Sequence, residues 1–337
     1  MPDRGARAPR QIPFRAGVKT TLLTLALLLV GCEPTRSDRR AVFGVFGTEV
    51  EVQLRQSSEA DAAAAFGDIG RMLQGMHKEL HPWEAGALTQ LNSALAAGRS
   101  FETSIDIAGL IRVSQRLEPA SQGTFNPAIG MLVKLWGFHT SDYPITEPPP
   151  PDAKIDALVA SAPSTQNLAL EGTTVETSST TVQLDFSGLA KGLAVKRACR
   201  LIAARDIDSA MINAGGDVMV CGAGKRSWRV AIRDVDGGVL ETLEIDRPLA
   251  VFTSGNYHRY GEFDGKRYAH ILDPATGRPV HGVMQATVVD PDPLLADAGA
   301  TALVVAGRQR WRGVARGLGI DRAVIIDEKG EVARIGH

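Results

Sequence analysis

The stretch "AMINAGGDVMVCG", residues 210–222, sets two short apolar runs on either side of a glycine pair. Gly215-Gly216 either turn a hairpin or let the backbone approach a ligand. The hairpin is the simpler reading, and it makes the flanking runs antiparallel neighbours. Downstream the pattern continues with "WRVAIRDV", "LAVFTSGNYHRY", "RYAHILDP" and "QATVVD", and a helix over 294–306 and a strand "AVIIDE" close the chain. Upstream, "AVFGVFGTEVEVQLR" alternates as a strand with a Phe-Gly-Thr corner. The run 59–80 places Phe66, Ile69, Met72, Leu73 and Met76 at helical spacing. Residues 81–92 read as a loop, 105–117 as a helix, 119–138 as a turn running into an apolar segment, and 155–161 as a short helix. Residues 139–152, with "EPPPP", read as a surface connector and not a site. The absence of regular βαβ alternation predicts an α+β fold, largely antiparallel sheets with helices packed on them.

Immediately before the hairpin, "DFSGLAKGLAVKRACRLI" (185–202) hands a strand over 181–188 to a helix over 189–204. A lysine between small residues at a helix start suggests an anion site, because helix N-termini present unpaired N–H groups and a positive dipole end. The P-loop spacing is absent, since only two residues separate Gly188 from Lys191. A helix cap with a solvated lysine explains the segment equally well when it is taken alone.

Composition narrows the class further. The chain has 337 residues, 44% hydrophobic and 22% charged, with net charge −1 and no basic stripe interleaved with aromatics, so nucleic acid is not an expected partner. The first 31 residues read as a leader: Arg4, Arg7, Arg10, Arg15 and Lys19 precede the apolar "TLLTLALLLV", which is too short to span about 30 Å of hydrocarbon. Leu29-Val30-Gly31-Cys32 resembles a bacterial lipobox, which implies cleavage before Cys32 and lipid on its thiol. The expected product is an exported body, lipid-anchored to a bacterial membrane and facing the periplasm, with a polar tether over 32–40. Cys199 and Cys221 remain; they could pair in an oxidising compartment, but one falls on an expected helix and the other on an expected strand, so buried free thiols are the expectation.

Two further segments collect polar residues. In "ADAGATALVVAG", Asp297 and Thr301 stand four apart, so both oxygens lie on one helix face and suit a hard cation such as Mg²⁺ once a carbonyl, waters and phosphates complete the shell. An acid near a helix start equally serves the dipole. In "RYAHILDPATGRPV", His270 precedes a Leu-Asp-Pro turn and is a candidate general base, with a hydrogen-bonded core histidine as the plainer reading.

Taken in order, "VFGTEVEV", "LTQLN", "GTFNPAIGMLVKLWGF", "LDFSGLAKGLAVKRA", "INAGGDVMVCG", "TSGNYHRY", "HILDPATGRPV" and "ADAGATALVVAG" resemble the FAD:protein FMN transferases across nearly the whole mature chain. The resemblance implies a flavin-transferase domain over 41–337, with a flavin-nucleotide cleft between two lobes. It also implies Mg²⁺-dependent transfer of FMN from FAD to a threonine of an acceptor flavoprotein subunit of a respiratory redox complex, with AMP leaving. On this resemblance Asp297, Thr301 and the Gly188 carbonyl are the metal ligands, Lys191 offsets phosphate charge and His270 takes the acceptor proton. Phe46, Trp83, Thr124, Phe125, Asn126, Asp185, Lys191 and Ile271 fall at flavin-nucleotide contacts. Phe46 and Asn126 depart from the Met and Asp usual in the family, and 81–92 departs from its early loop. An FAD pyrophosphatase and a non-catalytic flavin-binding lipoprotein are the alternatives.

Overall fold

The computed structural model describes residues 36–205, 207–256 and 259–336; the expected leader and Cys32 lie outside the described residues. Strand β1 (Ser37–Val45) turns through Phe46 and Gly47 into β2 (Thr48–Ser57). Both turn residues have positive φ, 56° and 67°, the sign that a two-residue hairpin turn demands. The polar tether expected to reach Arg40 gives way to strand at Ser37, because β1 pairs with β2 along its length, from Ser37 with Ser57 to Val45 with Thr48.

The hairpin reading of 210–222 holds. Strand β3 (Ser209–Ala214) pairs antiparallel with β4 (Asp217–Ala223) around Gly215 and Gly216, at φ 64° and 102°. A second hairpin, β5 (Trp228–Arg233) with β6 (Val239–Ile245), precedes β7 (Leu249–Gly255), β8 (Val283–Asp290), β9 (Ala323–Asp327) and β10 (Val332–Ile335). The main sheet has eight strands in the order β1-β2-β3-β4-β7-β8-β9-β10, every neighbouring pair antiparallel.

Period-two alternation sorts its side chains to two faces. Met219, Phe252, Val288 and Ile325 join the helical core, while Val220, Val251, Val289 and Val324, each one residue away from one of them, pack with Trp228, Val230, Leu243 and Ile245 of the β5–β6 hairpin. Each such fully buried side chain contributes about 1.5–3 kcal/mol.

Three helices cover the first face. Helix α1 (Glu59–Leu80) is capped by Ser58, whose hydroxyl accepts the Asp61 N–H at 3.1 Å, and buries Ala62, Ala65, Ile69, Leu73, Met76 and Leu80. Residues 87–92, the second half of the run expected as loop, open helix α2 (Ala87–Ala96): the Gly86 N–H donates to Thr89 Oγ1 at 2.9 Å and Leu88, Leu91 and Leu95 turn inward, a helical stripe hidden in a polar-looking run. Helix α3 (Ile105–Ala120), the short α4 (Gly130–Leu135) and α5 (Asp152–Ala160) follow. The strand expected over 181–188 does not form: Val182, Leu184, Asp185 and Phe186 are buried, but the segment forms only an isolated bridge between Gln183 and Ile129 and turns at Ser187.

Helix α6 (Ala190–Ala203) and helix α7 (Pro293–Leu318) complete the layer. The expected end at 306 is real: Gly307, at φ 65° and ψ 175°, breaks α7, and the helix resumes to a left-handed stop at Gly319. The expected free thiols are corrected. Cys199 on α6 and Cys221 on β4 form a disulfide, with Cα atoms 5.2 Å apart. Cys221 lies two residues beyond Met219 and shares its helix-facing side, which brings α6 over it.

The Pro-rich connector is also more than surface. Ile145 is buried, donates its N–H to Tyr260 O at 3.1 Å and accepts the Glu262 N–H at 2.8 Å. It joins Trp136, Phe138, Ile155, Tyr268 and Leu272 in a small separate core. Beyond the first 34 residues the chain is one compact unit.

Candidate functional site

The N-terminus of α6 is where distant segments meet. The N–H groups of Leu189 and Ala190 donate back to Phe186 O, each at 2.8 Å, and no side chain of Leu189 caps the helix. The cap comes from elsewhere. Asp297 of α7 accepts the Gly192 N–H on its Oδ2 at 2.8 Å, so a carboxylate sits on the positive end of α6. Gly192 permits this approach: a Cβ there would stand 2.5 Å from the Pro293 carbonyl oxygen.

Thr301 stands one turn beyond Asp297 and lies against the same corner. Its hydroxyl is 3.0 Å from Ser254 Oγ on β7, and a Cβ at Gly188 would be 3.5 Å from Thr301 Oγ1 and 3.2 Å from the Phe125 ring. Lys191 reaches across to Asp217 at the start of β4 and forms an ion pair with its Oδ2. Asp217 Oδ1 accepts the Thr253 N–H at 2.7 Å. Of two buried carboxylates, Asp217 pairs with this ammonium and Asp297 acts on it only through its field.

Charge follows that imbalance. Burial would lower the Lys191 ammonium, but Asp217 and then Asp297 outweigh it and hold its pKa above the ordinary value. For Asp297, burial dominates and Asp217 adds to it, against Lys191 and the Gly192 N–H; its carboxyl is pushed up to about 7. A divalent cation relieves such a site. Among the described residues no three His, Cys, Asp or Glu side chains converge as a metal cluster. The donor set instead consists of one carboxylate, one hydroxyl and a backbone segment, all hard oxygens, which fits Mg²⁺.

A second group surrounds Asp185. Its Oδ1 accepts the Ser187 N–H at 2.9 Å, and its Oδ2 lies 3.3 Å from His139 Nε2. Burial pushes this carboxyl up, but the His139 and Ser187 contacts outweigh burial and hold it below the usual carboxylate range. The His139 ring stacks on Trp83, with centroids 5.4 Å apart and planes 21° apart. From Trp83 a row of edge contacts runs through His81 and His77 to Phe46, whose N–H also donates to His77 Nδ1 at 3.3 Å. Burial lowers the His81 imidazole, and its Nδ1 accepts the Glu84 N–H at 3.0 Å.

A model of the ApbE family matches residues 46–325. The chain belongs to the ApbE family. Among its ApbE-family relatives are proteins named FAD:protein FMN transferase. That of Rhodobacter capsulatus is 39% identical over 329 residues, covering 96% of this chain and 62% of the relative, so the chain spans under two thirds of that protein's length. That of Vibrio cholerae serotype O1 is 29% identical, covering 92% of this chain and 94% of the relative. Among solved structures, the ApbE protein of Thermotoga maritima aligns with TM-score 0.77 at 27% identity, over 89% of this chain and 97% of its own. The apo flavinyl transferase ApbE of Pseudomonas stutzeri gives 0.76 at 27% identity, over 89% and 94%.

Within this ApbE-family fold the sequence-expected residues fall into groups. Gly188, Lys191, Asp297, Thr301 and Phe125 come together at the start of α6. Phe46, Trp83 and Asp185 belong to the aromatic row. Thr124 and Asn126 spend their side chains on the turn itself: Thr124 Oγ1 donates to Ser121 O at 2.8 Å, and Asn126 bonds Pro163 O and the Ala128 N–H. Ile271 lies in the main core, its carbonyl accepting the Val280 N–H at 3.0 Å. His270 Nδ1 faces the Arg259 carbonyl at 2.9 Å, which places the proton on Nδ1 and makes Nε2 the basic nitrogen.

Sequence reasoning missed Asp217, Ser254 and His139. Asp217 carried a signal, a lone acid directly after a glycine hairpin; His139 was absorbed into the Pro-rich connector.

Proposed function

We propose that this chain transfers the FMN moiety of FAD to a threonine hydroxyl of an acceptor protein and releases AMP. The observation that carries the reading is the meeting of Asp297 and Thr301 of α7 with the Gly188–Lys191 corner of α6, within a chain of the ApbE family. The named activity of the relatives from Rhodobacter capsulatus and Vibrio cholerae supports it.

In the transfer, the acceptor oxygen forms a bond to the FMN phosphorus, the pyrophosphate bridge breaks, and AMP departs with the bridging oxygen. Asp297, Thr301 and the Gly188 carbonyl would hold Mg²⁺, which when bound neutralises pyrophosphate charge and aligns the displacement. Lys191 supplies a further positive charge beside Asp217, kept protonated by its carboxylate neighbours. His270 Nε2 takes the proton from the acceptor hydroxyl, and the Arg259 carbonyl keeps the ring in the tautomer that can do so. The α6 N-terminus adds a favourable dipole for anionic phosphate.

The cellular setting belongs to the same proposal. The lipobox-like Leu29–Cys32 and the Cys199–Cys221 disulfide support an exported body anchored through Cys32 in an oxidising compartment, with a respiratory flavoprotein subunit as acceptor. Incubation with FAD, Mg²⁺ and candidate exported flavoproteins tests the reading by mass spectrometry. Gain of one FMN on an acceptor threonine is the expected result. Prompt release of free FMN with no acceptor modified would make the chain a hydrolase, and intact FAD throughout would make it a binding protein.

A further inference from the structure

His139 sits outside every segment that the sequence marks for chemistry, yet it joins two residues that the family resemblance puts at flavin-nucleotide contacts, Trp83 and Asp185. It follows α4 at the start of the Pro-rich segment, and its side chain is only 7% exposed. One face of its ring is stacked against Trp83, which itself stays 37% exposed. Its Nε2 meets Asp185 Oδ2, and because a carboxylate there only accepts, Nε2 carries the proton. Trp83 is pinned from its other neighbour by the His81 edge contact, with centroids 4.4 Å apart, and His81 is itself anchored through the Glu84 N–H. Two loops from separate parts of the chain are thereby locked over one buried carboxylate.

We propose that His139 is a positioning residue for an aromatic ring of the dinucleotide: by stacking on Trp83 and donating to Asp185, it fixes both a flat wall and the orientation of an acceptor oxygen at its edge. The chemistry recognised is a planar heteroaromatic ring with an N–H at its rim, which would lie on the exposed part of Trp83. This inference rests on the flavin-nucleotide reading above. Because His139 acts through Trp83 and Asp185 and not on the reacting phosphorus, its loss falls on binding and not on turnover.

The test is titration of the full chain with FAD in the absence of divalent cation, followed by flavin fluorescence anisotropy, alongside steady-state transfer with Mg²⁺ and acceptor. His139→Ala is expected to weaken FAD binding and raise KM about tenfold while kcat stays within about threefold, the size of one lost ring stack. His139→Phe keeps the stack and His139→Asn keeps an N–H donor, so each is expected to recover part of the affinity; both stand in should the alanine variant not fold. With Trp83→Ala, the double variant is expected to bind no more weakly than Trp83→Ala by more than about threefold, since His139 acts partly through that ring. A merely structural role would lower thermal stability and kcat together and leave flavin affinity in place. Wild-type binding of FAD with unchanged affinity in the His139 variants overturns this inference alone. No FAD binding by the wild type, with Mg²⁺ as well as without it, overturns the functional reading and this inference with it.

Discussion

Replacing Asp297 by asparagine is expected to stabilise the protein while abolishing its chemistry. Burial beside Asp217 holds the Asp297 carboxyl at about 7 against the ordinary 3.8. The folded state therefore grips this proton more tightly than the unfolded chain does, so the group costs nothing below about pH 4 and lowers stability progressively as pH rises to about 7. At about 1.4 kcal/mol per tenfold, the full cost by about pH 8 is about 4 kcal/mol. The amide of Asp297→Asn can still accept the Gly192 N–H, so the cap on α6 survives while the buried charge does not. Urea unfolding with chelator at about pH 8 should show Asp297→Asn more stable than wild type by about 2–4 kcal/mol, with the gap closing by about pH 4. Adding Mg²⁺ at about pH 8 should stabilise the wild type and leave the variant unmoved, and flavin transfer should fall at least about a hundredfold. A variant less stable than wild type at about pH 8 without metal, or a gap that does not change with pH, would refute the reasoning.

The parts of this arrangement that the sequence revealed are those set by local period and turn chemistry. Helix α1 was legible because its apolar residues recur on one face, and the β3–β4 hairpin because two glycines supply positive φ between alternating strands. The Asp297/Thr301 spacing was legible for the same reason, as one turn of helix. Other features depend on what lies across the fold. Helix α2 looked like a loop because its inward leucines are separated by polar residues that only a neighbouring layer explains. The run 181–188 alternates like a strand but finds no ladder, since the turn after α3 takes its Gln183 and Asp185 backbone contacts instead. Asp217 and His139 gain their significance from Lys191 and Asp185, which are 26 and 46 residues away. The disulfide was missed because an expected helix and an expected strand say nothing about which crosses over which.

Three further substitutions probe the same frame. Gly192→Ala puts a Cβ 2.5 Å from the Pro293 carbonyl oxygen and 3.0 Å from its carbon, so α6 must draw away from α7; a loss of about 1–3 kcal/mol by urea unfolding and a larger loss of transfer are expected. Lys191→Met leaves Asp217 and Asp297 facing each other without a cation and should cost about 3–5 kcal/mol, of which the double variant with Asp217→Asn should recover a substantial part. Cys199→Ser with Cys221→Ser opens a link across a separation of 22 residues, worth about 3 kcal/mol through the unfolded chain. The disulfide joins α6 and β4 well beyond the Lys191 and Asp217 ends that form the ion pair, and the Gly192–Asp297 bond and the Asp217–Thr253 bond hold those ends independently. Stability should therefore fall while transfer by the folded protein at low temperature stays within about twofold, and the reduced wild type should match the serine variant in unfolding free energy. If the serine variant is as stable as the oxidised protein, the bridge constrains nothing; if its transfer collapses while it is still folded, the ion pair at the head of α6 depends on the bridge and the two ends of the helix are not independent.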